Sequence, residues 1–578
     1  MIGNALPHRT RDITRRVVFA TCGLGLGLAL ASCASAPRQA VLAPRLDVAS
    51  LIREADAEIK RGCYVCLRSG AATYEKALAA DADGTLVTKA AGAWALVSAR
   101  ERQLGLKPTD ALDRARALRG RSSDPVIDAY MYVASHLPLG REGVSAETLE
   151  AAGRASRDLL TPEGERRLSE AKVLLTDRVE RDGDPAASYL IASVICSEYL
   201  THRAPSPADM DGVARLQTIP ALSDLMTFRM ATCDMIREVP LKHDALVALI
   251  GRQSRFHEAS YFLGHLWLAE KRLVSSESAF LRAADGLPGM AAAWALLGSV
   301  RMALEEYDIA ASDLGRALSI EPDQREVLLT QARALNYAGQ FQAALVPAQR
   351  LISLGVWYQA DANFWLALSE LQLGRLQDAD LHVREAKPMN SNDGDTARLS
   401  GLLALRLDDL PRAQAEFELA ISRNDADCES RLQLGTVYGR QGAWETSVAS
   451  FVRARQCYAA AKIAAEAKRV EIENSSLSAA RRDLALLRLA QRVARHTRSQ
   501  ADAALGAAEG ETQRGAYEAA LSHLADAGTE PELGPRVSEL RRRIEARQTK
   551  PFRPSGSSRS GSGRCFREVH DRVASASS

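Results

Sequence analysis

Cys63 and Cys66 stand three residues apart in RGCYVCLRSG, a spacing that serves dithiol redox exchange, metal binding or haem attachment. Each use needs something more. Haem attachment needs a histidine next, and residue 67 is Leu. Structural zinc needs four ligands, and no second CxxC or paired histidines follow nearby. Redox exchange in such a motif needs a strand–helix–strand setting, whereas the flanking residues read as helix. Two readings of Cys63 and Cys66 remain: a local disulfide in an oxidising compartment, or two small buried residues at a hairpin corner. The rival from another class is a periplasmic enzyme or thiol-redox protein built on this pair.

Little else could do chemistry. The ten histidines are scattered, with no HExxH pair. His257 and His265 lie eight residues apart, more than two helical turns, too far to share one metal ion. GxSxG, P-loop and GxGxxG patterns are absent from the sequence. The expectation is a protein that binds and does not turn over a substrate: no catalytic residue, no metal, no cofactor and no small-molecule substrate. Net charge is +2, with +3 in the first 32 residues and +4 from Thr549 onward, so the body carries −5. That weakly acidic body lacks the clustered basic face that nucleic acid requires.

Cys33 raises a different chemistry. Arg9, Arg11, Arg15 and Arg16 precede an uncharged run from Val17 to Ser32, a basic head and apolar core of the export type. The run is shorter than the roughly 20 residues of a spanning helix. Leu30-Ala31-Ser32-Cys33 resembles the lipobox of bacterial lipoproteins. The resemblance implies cleavage before Cys33 and a diacylglyceryl group on its sulfur. With Ala34 next, it also implies residence at the outer membrane facing the periplasm. An ordinary signal peptide that happens to hold a cysteine is the alternative. Residues 1–32 are thus read as a lipoprotein signal peptide and 33–48, with Pro37 and Pro44, as a tether.

The elements that must carry any function repeat. From Ala291, the segment AAAWALLGSVRMALEEYDIAASDLGRALSIEP places Trp294, Leu297, Gly298, Tyr307, Ala310, Leu314, Ala317 and Pro322 at positions 4, 7, 8, 17, 20, 24, 27 and 32. This resembles the tetratricopeptide repeat (TPR), from which only Arg301 at position 11 departs. The frame recurs from His257, Arg325, Ala360, Gly394 and Cys428, spaced by 34 or 35 residues. The resemblance implies an all-α, TPR-type α-solenoid of antiparallel helix pairs, in which stacked units share a core that none could bury alone.

Around these six units (257–461) the signal weakens. Residues 49–120 read as divergent TPR-like hairpins, and 121–256 as helix whose proline and glycine punctuation breaks any period. Residues 462–548 read as helical with a degenerate seventh repeat from Ala501, and 549–578 as a disordered tail. Cys428 and Cys457 occupy positions 1 and 30 of unit six, side by side in an antiparallel hairpin, so they form a candidate disulfide; Cys196 and Cys233 are a further candidate pair. In the TPR family positions 2, 5, 9 and 12 of each first helix line the concave face. The resemblance therefore implies a groove of Tyr261, His265, Leu268, Ser299, Met302, Arg333, Asn336, Phe364, Leu368, Leu371, Arg398 and Leu402. Apolar patches beside Arg333 and Arg398 suit a protein or peptide partner bearing an acidic group.

Overall fold

The computed structural model describes residues 47–81, 83–136, 161–200, 224–232, 239–355, 358–388, 393–474, 478–528 and 530–548. The expected signal peptide, Cys33, most of the expected tether, Cys233 and the expected disordered tail lie outside them. Every regular element among the described residues is helical, and none of those helices is long and apolar enough to cross a membrane.

The described residues before the first regular repeat form one helical body. Its elements are α1 (Val48–Arg61), α2 (Tyr64–Ala80), α3 (Gly84–Leu104), α4 (Ala111–Arg119), α5 (Val126–His136), α6 (Pro162–Asp182), α7 (Pro185–Leu200), α8 (Asp224–Ala231) and α9 (Val239–Arg252). Helix α3 is its axis, touching α2, α4, α5 and α7. Its sides from Leu86 to Glu101 are buried almost all round, as expected of a helix without a polar face. Cys63 and Cys66 are joined by a disulfide at the start of α2, with Cα atoms 4.9 Å apart and both residues fully buried.

This body is locked to the first repeat by a buried ion pair. Arg100 of α3 donates from Nη1 to Glu258 at 2.7 Å, and neither side chain is more than 1% exposed. The same carboxylate accepts the Tyr64 backbone N–H at 2.6 Å. The guanidinium lies 4.2 Å from the Phe228 ring centroid. Burial pushes the Glu258 carboxyl up, against the pull of Arg100, so removing either partner strands a desolvated charge.

Six helix pairs follow: α10 (His257–Ala269) with α11 (Leu273–Gly286), α12 (Ala291–Ala303) with α13 (Tyr307–Ile320), and α14 (Arg325–Tyr337) with α15 (Phe341–Ser353). They continue as α16 (Gln359–Gln372) with α17 (Leu376–Ala386), α18 (Gly394–Arg406) with α19 (Leu410–Arg423), and α20 (Cys428–Arg440) with α21 (Trp444–Glu473). Each helix packs on the next in sequence, which makes the fold a TPR-type α-solenoid.

Size complementarity sets the approach within each pair. A Cβ on Gly264, Gly298, Gly401 or Gly435 (position 8) would fall 2.6–2.8 Å from Phe280, Leu314, Phe417 or Phe451 (position 24). Where position 24 is smaller, as at Ala348 and Val383, position 8 is Ala332 and Ala367. The turn between helices passes through a left-handed residue at position 15. It is Gly339, Gly374 and Gly442 in units three, four and six, but Lys271 (φ 59°), Glu305 (φ 61°) and Asp408 (φ 66°) in units one, two and five. An L side chain in that conformation is strained.

Arg301, the departure at position 11, sits between two side chains that are each 3% exposed. It donates from Nε to Glu277 at 3.0 Å and from Nη1 to Asp313. Burial works against its charge, but its bonds to the two carboxylates hold its pKa above the ordinary value.

Unit six does not stop where its predecessors do. Its second helix, α21, runs for 30 residues and returns as the 36-residue α22 (Ala479–Arg514), a hairpin about 45–54 Å long at 1.5 Å per residue. A disulfide between Cys428 and Cys457 (Cα–Cα 5.4 Å) staples α20 to α21. Gly506 and Gly510 let the helices close, since a Cβ on either would lie 2.6 Å from Phe451 or Val448. The last part of α22 is the first helix of a seventh unit, which turns through Gly515 (φ 81°) into α23 (Tyr517–Ala527) and then α24 (Gly534–Gln548). At its other end, α22 reaches units one and two. Arg481 pairs with Glu277, Arg488 Nη1 donates to the Leu304 carbonyl at 2.9 Å, and Arg492 Nη2 donates to both oxygens of Glu305 at 2.8 and 3.0 Å.

Candidate functional site

The first helices of the repeats present positions 2, 5, 9 and 12, and their neighbours decide which side chains stay available. Two expected groove residues are buried. Tyr261 is 5% exposed and packs edge-on against Phe262, His265 and Phe280 within unit one. Asn336 is 6% exposed, donating to the Ala332 carbonyl at 2.9 Å and accepting from Ser369 Oγ at 2.9 Å. Its amide ties unit three to unit four and is not offered to a ligand.

The others are more open. His265 is half-buried against the Phe280 ring, and Met302 is half-buried against the main core. Ser299 is exposed, and so is Arg333, which lies 5.9 Å from the Trp365 ring. Phe364 and Leu368 are half-buried, Phe364 packing edge-on to Trp365 at 5.0 Å. Arg398 is half-buried but already engaged, 2.9 Å from Asp395 and 3.6 Å from Asp427.

The later units enclose space. Leu371, Arg398 and Leu402 come together in a cavity of about 430 Å³ on the inner face of units four to seven. Its apolar lining includes Leu405, Leu432 and Phe451, and its charged lining Arg406, Glu429, Asp502, Glu509 and Arg536. Glu429 accepts from Tyr458 Oη at 2.9 Å and Gln433 Nε2 at 2.7 Å, and Asp502 pairs with Arg536 at 3.4 Å. Burial pushes the carboxyls of Asp502 and Glu509 up, against the pull of Arg536 on both. A cationic group entering the cavity would favour their charged forms.

Sequence reasoning missed Glu429, Asp502 and Glu509, although the signal was present. Positions 2 and 9 of the seventh frame are Asp502 and Glu509, and position 2 of the sixth is Glu429. Groups of three or more His, Cys, Asp or Glu able to hold a metal ion are absent among the described residues.

Stacked helix pairs of about 34 residues, with a cavity lined by units four to seven, define the class, a repeat α-solenoid. No protein-family model and no curated protein sequence matches the chain. Among solved structures it is similar to YrrB, described as a TPR protein with an unusual peptide-binding site. The likeness has 16% identity and a TM-score of 0.29, over 32% of this chain and 96% of that one. A tetratricopeptide repeat protein from Parabacteroides merdae matches at 14% identity and 0.33, over 50% and 98%. PilW, described as a widely conserved type IV pilus biogenesis factor, matches at 14% and 0.30, over 35% and 90%.

Proposed function

We propose that this chain is a protein-interaction scaffold of the bacterial cell envelope, held to the membrane by lipid on Cys33. Its inner face takes a peptide or helix of a protein partner in an assembly, secretion or biogenesis complex. The observation that carries this reading is the cavity of units four to seven, about 430 Å³, whose lining combines apolar and charged side chains. The acidic-group preference expected of Arg333 and Arg398 now rests on Arg333, because Arg398 is held by Asp395 and Asp427. The raised carboxyls of Asp502 and Glu509 suit a basic group at the other end of the same partner.

The test places a photo-crosslinking residue at Gln372 or Arg406 on the cavity, and at Val346, which is 68% exposed on α15. A partner adduct should form from the first two and not from Val346, and Leu402→Glu should abolish it. Equal adducts from all three positions would refute the concave site. The anchor is tested separately: Cys33→Ala should be released or left unprocessed, and a processed, membrane-bound Cys33→Ala protein would remove the lipid from this reading.

A further inference from the structure

In a regular solenoid each unit touches only its neighbours. The α21–α22 hairpin breaks that rule, because α22 bonds to residues 184 and 187 positions earlier in the chain. Arg481, Arg488 and Arg492 are spaced by 7 and 4, so they form one stripe along the helix. All three meet acceptors on units one and two: Glu277, the Leu304 carbonyl and Glu305.

The bonds from the arginine stripe are ion pairs and a hydrogen bond, with Leu489 buried beside Arg488. Residues 479–500 of α22 belong to none of the buried apolar clusters that hold the described units together. Glu277 is shared between Arg301 and Arg481, and Arg301 also holds Asp313. The departure from the repeat pattern at position 11 thus belongs to the same network that receives α22.

Glu305 gives a second, independent indication. It keeps a strained left-handed backbone at a position that is glycine in units three, four and six. Asp408, at the same position in unit five, uses its carboxylate to pair with Arg440 at position 13 of the next unit. For Glu305 the corresponding residue is Tyr337, which carries no positive charge, and the carboxylate binds Arg492 of α22 instead. A strained residue whose side chain serves a distant element is the pattern expected where strain is retained for a purpose.

We infer that the α21–α22 hairpin is an electrostatic clasp that joins the last repeats to the first two, holds the curvature of the inner face, and opens when salt screens its arginine contacts. Arg492 and Glu305 are each 40% exposed, within reach of solvent ions. The screening length falls from about 10 Å at 0.1 M salt to about 3 Å at 1 M, no longer than the contacts themselves.

Spin labels carried on non-natural residues at the exposed positions Ile309, on α13, and Asp483, on α22, would read the clasp as a distance in the full chain. One narrow distance is expected at low salt, lost to longer and broader distances at high salt. R481E/R492E should lose the narrow distance even at low salt, and R492E combined with E305R should regain it. An unchanged narrow distance in R481E/R492E, or in the unsubstituted chain at high salt, would overturn the clasp. The salt titration needs no substitution at the clasp, so it decides the matter even if the arginine variants fold poorly.

Discussion

The pairing of small and large residues inside each unit makes a prediction whose sign depends on context. Gly401→Ala places a methyl 2.7 Å from Phe417 Cε1 and 2.8 Å from Cδ1, and Phe417 is fully buried. Overpacking of this kind costs about 1–3 kcal/mol, while replacing glycine in a helix interior returns about 1 kcal/mol. The single substitution should therefore destabilise by about 0–2 kcal/mol. Phe417→Val removes four carbons, worth about 3 kcal/mol at ~0.8 per methylene, and leaves room for the methyl. In that background Gly401→Ala refills about one methylene and keeps its helix gain, so it should stabilise by roughly 2 kcal/mol. Unit four, with Ala367 against Val383, already has this arrangement. The assay is a double-mutant cycle by urea unfolding, followed by hydrogen exchange of α18 and α19 because repeat arrays need not unfold in one step. Equal destabilisation by Gly401→Ala in both backgrounds would refute the size-complementarity argument.

Lys271→Gly should stabilise by about 1 kcal/mol, since it relieves a left-handed residue with φ 59°; Lys271→Ala should not, and calorimetry on the two separates backbone relief from loss of charge. Arg301→Leu restores an apolar residue at position 11, yet it should cost about 3–5 kcal/mol because Glu277 and Asp313 lose their shared cation; a neutral effect on the urea midpoint would refute this. His382 lies 2.7 Å from Glu370, and that hydrogen bond raises its pKa against the opposing effect of burial. The pair's stabilisation is then complete below the free histidine value of about 6.5 and fades as pH rises through the raised value. His382→Gln should therefore cost more stability at pH 6 than at pH 9, and a pH-independent cost would count against the charged pair.

What could be read from the sequence follows from how local each cause is. The unit frame was legible because Gly298 and Leu314, or Gly401 and Phe417, belong to the same 34-residue hairpin. The burial of Asn336 was not legible because Ser369, which donates to its side-chain carbonyl, comes from the next unit. That of Tyr261 was not legible because its ring packs against Phe280 at position 24. Arg301 could be seen as a departure, but its reason lies in a carboxylate from the preceding unit and another twelve residues further on. The body before residue 257 has no period because α3 is covered on nearly every side, so no single apolar face repeats. The return of α22 to units one and two was illegible, since an Ala- and Arg-rich helix carries no mark of partners about two hundred residues away.

Solenoids ordinarily gain and lose whole units in evolution at little cost, because each new unit need only match its neighbours. Here the arginine stripe of α22 must land on Glu277 and Glu305 after crossing the span of the intervening repeats. A duplicated or deleted unit between residues 325 and 427 would shift that landing point by the width of a helix pair, leaving carboxylates and arginines facing the wrong partners. The number of repeats in this protein is therefore a counted quantity, tied to the length of one hairpin, and relatives that keep the stripe should keep the count.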